Sequence, residues 1–202
     1  MNTVIKLRTE QIASAGRILA RAFYSDPFFR YILPDAATRQ EKLNQYACIY
    51  VKASCLMDTV HGTGMPLSGV AVWTAPGRGL TPEERSEAGM DRLPDIFGLE
   101  GFERYLGMVA HLSIERARDV PLAHWYLSIL GVDPTRQGEG IGGALLQPIL
   151  KVSDQTDTPC YLETFVEENL AFYTHHGFRI LVAGVEPRSS IPFWTMTRTP
   201  LA

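Results

Sequence analysis

The feature that most constrains this chain is Gln137-Gly138-Glu139-Gly140-Ile141-Gly142-Gly143, set between an apolar strand-like run and the start of a helical period. Glycine density has a physical use at such a place. Lacking Cβ atoms, the backbone comes close to a bulky anion, and the first N–H groups of the helix, which have no intrahelical acceptor, point at its oxygens with the helix dipole behind them. A pyrophosphate is the natural guest, and Gln137, Gly138, Glu139, Gly140, Ile141, Gly142 and Gly143 are the residues expected around it. A plain strand-to-helix turn needs one or two glycines rather than four within six positions.

Gly138-x-Gly140-x-x-Gly143 also satisfies the dinucleotide fingerprint, and Glu163 stands 20 residues after Gly143, where the ribose-binding acid is expected. That reading fails on topology. A dinucleotide fold needs several more βα units, yet only 59 residues follow Gly143, and they read as strand, helix, strand, strand. The loop Val132-Asp133-Pro134-Thr135-Arg136 is also longer than the tight first turn of that fold.

Around this loop the periodicities predict an α/β chain. Val4, Ile5 and Leu7 open a strand. Thr9, followed by Ile12, Ala15, Ile18, Leu19, Ala22 and Phe23 at helical spacing, is expected to cap a helix that Asp26-Pro27 stops. Pro34-Asp35 introduces a helix over 38–56, and two strands, 61–65 and 69–74, are joined through a turn at Pro66. The charged stretch 82–115 reads as two helices divided by Pro94 and Gly98. The run 124–132 is a continuous apolar strand of the kind buried on both faces, followed by the glycine loop, a helix to about 152 and a strand over 161–165. A short helix over 169–175 ends at Gly177, and strands 178–185 and 193–199 complete one expected domain, residues 1–202.

Composition narrows the function. The formal charge of −3 offers no basic surplus for coating nucleic acid. Cys48, Cys55 and Cys160 form neither a Cys-x-x-Cys pair nor a zinc-ligand spacing, so no metal site and no disulfide framework are expected, which suits a cytoplasmic protein. No apolar run approaches the ~20 residues that span a bilayer. His175-His176 project about 100° apart on a helix and lack a third ligand, and His61, His111 and His124 are isolated. No Gly-x-Ser-x-Gly elbow supports a hydrolase.

The stretch Val132-x-Pro134-x-x-Gln137-Gly138-x-Gly140-x-Gly142, with Asn169 and Tyr173 before Gly177-Phe178, resembles the acyl-CoA signature of the GNAT superfamily of N-acetyltransferases, and the element order is similar along nearly the whole chain. Ala71-Val72-Trp73-Thr74, Gln147-Pro148, Leu162-Glu163-Thr164, Asn169-Leu170-x-Phe172-Tyr173 and Trp194-x-Met196-Thr197-Arg198 resemble puromycin N-acetyltransferase and its bacterial relatives more narrowly. The resemblance implies a mixed central sheet splayed between its fourth and fifth strands, helices on both faces, and acetyl-CoA as co-substrate. Asn169 belongs to its cofactor set. One departure is Glu139, where the family often carries Lys or Arg; Arg136 and Arg179 are the basic candidates for the 3′-phosphate.

Gly131, inside a β-favouring run, marks a bulge or a close approach. In the GNAT fold the pantetheine arm adds to this strand, which places the thioester beside Leu130, Gly131 and Val132, where an N–H meets the developing oxyanion. Tyr173 matches the family's general acid: a phenol with pKa near 10 protonates a departing thiolate with pKa near 8.5. Glu163, on the strand flanking the splay, is a base or a structural carboxylate. Phe23, Tyr24, Phe28, Phe29 and Trp73 are pocket or core residues. The implied acceptor is a small-molecule primary amine; a protein or peptide amine and a non-catalytic acyl-CoA sensor are the alternatives. No nucleic-acid or membrane partner is expected, and a homodimer is compatible with the reading.

Overall fold

A computed structural model describes residues 3–64, 66–120 and 123–201. The chain runs β1 (Val4–Lys6), α1 (Ile12–Ala22), α2 (Pro27–Ile32), α3 (Ala36–Cys55), β2 (Val60–Thr63) and β3 (Gly69–Thr74). It continues α4 (Pro82–Ala88), α5 (Leu93–Phe97), α6 (Leu99–Asp119), β4 (Trp125–Val132), α7 (Ile141–Gln155), β5 (Cys160–Thr164), α8 (Asn169–His175), β6 (Arg179–Val185) and β7 (Pro192–Arg198). One seven-stranded sheet has the order β1-β2-β3-β4-β5-β7-β6. Every neighbouring pair is antiparallel except β4–β5, the pair that α7 connects.

That parallel pair is short. Only Trp125, Tyr126 and Leu127 pair, with Cys160, Tyr161 and Leu162, although β4 continues to Val132. The strands then part, which is the splay the resemblance implies.

A β-bulge governs what β4 presents on each face. Val72 pairs with Ile129 and Trp73 with Leu127, so Ser128 is the surplus residue, and its hydroxyl donates to the Val72 carbonyl at 3.1 Å. Leu127, Leu130 and Val132 pack with the α7 residues Leu145 and Leu146, whereas Ile129 packs with Leu19, Val70 and Val72 on the opposite side. The bulge thus lies at Ser128 and not at Gly131. Nor is β4 uniformly buried, as its apolar run suggested: alternate residues from Leu127 onward are only half-buried, because one side of the strand faces the opening.

Capping chemistry corrects three expectations at helix ends. Thr9 opens a single 3₁₀ turn, with the Arg8 N–H donating to Gln11 Oε1 at 2.8 Å, and makes no side-chain cap. Asp26-Pro27 does not stop α1, which already ends at Ala22. It starts α2: the Asp26 carboxylate accepts from the Phe28 N–H at 2.9 Å and Pro27 occupies the first helical position, where its missing N–H costs nothing. Pro94 divides nothing either, lying in the first turn of α5, while Gly98, at φ +74°, separates α5 from α6. Met65, at the expected end of β2, lies outside the described residues.

Candidate active site

Beyond its last pairing with β5, β4 has a free edge. The Asp133 N–H donates to the Ser68 carbonyl, fixing which N–H groups of the strand face β3. By alternation Gly131 also pairs toward β3, and the N–H and C=O groups of Leu130 and Val132 face the open side. The Val132 carbonyl accordingly meets the Gln137 amide at 3.4 Å. Gly131 has a different reason to be glycine: a Cβ there would stand 2.7 Å from Leu19 and 3.2 Å from Ala22. It lets α1 pack directly against the strand.

The glycine loop divides its work in the same way. Gly138 and Gly140 adopt φ of +82° and +74°, a left-handed backbone that L side chains resist, and open space surrounds both. The first α7 amide bonded to the loop is Ala144, which donates to Gly140 at 3.1 Å, so the amides of Ile141, Gly142 and Gly143 precede the helix ladder. Gly142 and Gly143 serve packing: Cβ atoms there would lie 3.1 Å from Phe172 and 2.7 Å from His176 Nε2. Glu139 is engaged by Arg136, whose guanidinium donates to both carboxylate oxygens at 2.6–2.9 Å. The two candidate phosphate-contacting charges of the loop therefore face each other.

Two cavities flank the splay. One, of about 620 Å³, is lined by Arg136, Gln137, Gly138, Gly140 to Ala144, Val132 and the α8 face that carries Phe172, His175 and His176. The other, of about 540 Å³, lies among α2, α3, α6, β4 and the end of β5. They share three lining residues: Leu130, Asn169 and Tyr173. Both volumes lie in the range of small-molecule sites.

Tyr173 is buried, and desolvation, with Asp26 adding to it, holds its phenol well above the ordinary value. It stays protonated at neutral pH. Asn169, the first residue of α8, donates to Thr164 Oγ1 at 3.4 Å, tying the helix to the end of β5. Glu163 lines only the second cavity. Its side chain is 3% exposed, and burial raises its pKa to about 7 against the opposing pull of Arg116 and the phenols of Tyr126 and Tyr161. The Arg116 Nη1 stands 3.4 Å from Glu163 Oε1.

Aromatic residues wall the second cavity. Phe23, Phe28 and Phe29 take part, as the sequence allowed. Trp73, on β3, is fully buried core, and Tyr24 lines neither cavity, its hydroxyl donating to the Ala36 carbonyl at 3.1 Å. Arg179, at the start of the edge strand β6, also lines neither cavity. No cluster of three potential metal ligands occurs among the described residues. Residues that sequence reasoning missed are Asp26, Arg116, Tyr126 and Phe165. For Asp26 a signal existed: an acidic residue before proline and an apolar run is a helix start.

Residues 98–180 match the acetyltransferase (GNAT) domain family. An N-acetyltransferase of Schizosaccharomyces pombe, itself uncharacterised, is 26% identical over 180 residues, 86% of this chain and 72% of that protein. The matched segment is of GNAT acetyltransferase type. A GNAT-type fold also relates it to a Corynebacterium glutamicum structure described as histone acetyltransferase HPA2 and related acetyltransferase. That match has a TM-score of 0.72 and 20% identity, over 100% of this chain and 98% of the other. The Drosophila melanogaster polyamine N-acetyltransferase aligns with a TM-score of 0.66 and 12% identity, over 98% of this chain and 100% of the other. No helix among the described residues is long and apolar enough to cross a membrane.

Proposed function

We propose that this GNAT-type enzyme moves the acetyl group of acetyl-CoA to the primary amine of a small molecule by direct attack, with Tyr173 as general acid and Glu163 as base. The observation that carries the reading is the position of Tyr173 where the two cavities join, with Glu163 in the aromatic cavity alone. The loop cavity suits a pyrophosphate: Gly138 and Gly140 leave open space, and the first amides of α7 face an anion without competing intrahelical acceptors. The open-edge amides of Leu130 and Val132 suit an extended amide-bearing arm and a developing oxyanion.

In this mechanism Glu163 removes a proton from the amine, directly or through water. The neutral nitrogen then attacks the thioester carbonyl, Tyr173 protonates the thiolate as the C–S bond breaks, and the surplus proton on the adduct's nitrogen returns to the phenol through water. A phenol kept protonated by burial and a carboxylate poised near neutrality are matched to these opposite tasks. The aromatic walls and the size of this cavity, about 540 Å³, favour a small acceptor over a protein chain. The short segments that resemble puromycin N-acetyltransferases point the same way, and residues 1–202 are read as one catalytic domain.

A panel of amines assayed for CoA release tests the acceptor class. CoA, and not NAD, is expected to raise the melting temperature, because a ligand that binds only the folded state stabilises it. CoA binding without turnover of any amine would favour a sensor, and turnover only of peptide amines would move the acceptor to a protein.

A further inference from the structure

We propose that Arg116 is a positioning residue, holding the Glu163 carboxylate toward the acceptor cavity and setting the pH at which it takes up a proton. The inference rests on Glu163 being the base. Arg116 lies in the last turn of α6, yet its side chain reaches the sheet at the point where β4 and β5 begin to part. There its guanidinium does two things at once. Its carbon lies 4.0 Å from the centroid of the Tyr126 ring, and Nη1 lies 3.4 Å from Glu163 Oε1. A third, long contact from Nη2 to Ser113 Oγ, at 3.5 Å, ties it back to its own helix.

The contact with Glu163 is single and long. A bidentate guanidinium–carboxylate pair at 2.7–2.9 Å would occupy both oxygens and quench their basicity. Here the guanidinium reaches one oxygen only, Oε1, at long range, and so holds the carboxylate in place without quenching it. The groups facing Glu163 come from every surrounding element: Arg116 and Asp119 from α6, Tyr50 from α3, Tyr126 from β4 and Tyr161 from β5. Arg116 is the cation in that set. Without it, burial and the neighbouring Asp119 both favour the protonated acid, which accepts no proton. Cation–π contact with Tyr126 fixes where the positive charge stands, because the ring is carried by β4 where Tyr126 pairs with Tyr161.

The test is the pH dependence of kcat/KM for Arg116→Met and Arg116→Lys, read beside Glu163→Gln. Loss of the cation should move the acidic limb upward by about one pH unit or more, the usual effect of a charge partner at this range. Activity lost at pH 7 should then return in part at pH 9. Arg116→Lys should restore the limb most of the way, and acetyl-CoA affinity should be unchanged in both variants. If Glu163→Gln keeps the wild-type acidic limb, the base is misassigned and both readings fall. If the limb vanishes in Glu163→Gln but stays at the wild-type pH in Arg116→Met, Glu163 remains the base and the role given to Arg116 is wrong. Should Arg116→Met unfold, Arg116→Gln takes its place as the charge-removing variant, and a limb that stays at the wild-type pH in it overturns the proposal.

Discussion

The ring of Phe28 stacks on that of Phe165, with centroids 5.3 Å apart and planes 15° from parallel. The first belongs to α2 and the second directly follows β5, so this contact ties the N-terminal helices to the strand that carries Glu163. Replacing Phe165 with Leu keeps apolar bulk but removes the stack, a loss of about 0.5–1.5 kcal/mol. The acceptor KM should rise about twofold to tenfold with acetyl-CoA affinity unchanged; steady-state kinetics with each substrate varied in turn separates the two.

Tyr173→Phe removes one hydroxyl and keeps most of the packing. Turnover should fall about 10²- to 10⁴-fold, while acetyl-CoA affinity stays near wild type, because the proton is needed only as the thiolate departs. The deficit should shrink for donors with a more acidic thiol. Wild-type turnover under conditions where chemistry limits would make Tyr173 a packing residue, and a collapse of CoA affinity would make it a cofactor-positioning group.

Gly143 sits in the first turn of α7, where alanine is favoured over glycine by about 1 kcal/mol. That gain is blocked by His176, whose Nε2 would lie 2.7 Å from the new Cβ and whose Nδ1 is held 2.8 Å from the Phe172 carbonyl. Gly143→Ala should therefore be neutral or destabilising in the wild-type background, yet stabilising by about 1 kcal/mol when paired with His176→Ala. Denaturant midpoints across the four proteins of this cycle measure the coupling.

Asp26 gives stability a pH signature. Its pKa is raised to about 6, mainly by burial, from a model-compound value near 3.8. The folded form thus holds a proton that the unfolded chain has released, and this group's contribution falls as pH rises from about 4 to 6. Asp26→Asn keeps an acceptor for the Phe28 N–H and removes the titration. Its melting temperature relative to wild type should climb across that window and level off above it; a constant difference from pH 4 to 8 would count against a protonated Asp26.

Local chemistry was readable in advance and long-range geometry was not. The glycine loop and the parallel strands around it follow from backbone conformation and short spacings, whereas Tyr173 is named by the family resemblance. Gly131 reads as a bulge or a close approach of backbone or ligand, but what approaches is the side chains of Leu19 and Ala22 of α1, more than 100 residues earlier. Arg116 meets Glu163 across 47 residues and an intervening helix, and no local pattern announces such a contact. Four glycines looked alike in the sequence, yet two supply a left-handed backbone and two make room for Phe172 and His176. That difference depends on where α8 docks.

Ser128 is one residue more than β4 needs to match β3. Without it, Leu127 and Ile129 would keep the faces they now have, and an uninterrupted ladder would result. Bulges bend a strand and sharpen its twist. A straighter β4 would run alongside β5 past Leu127, and the free edge at Leu130 and Val132 would be taken up by ordinary sheet pairing. A deletion that tidied the sheet would therefore close the slot, so the open edge there is bought with a defect in regularity.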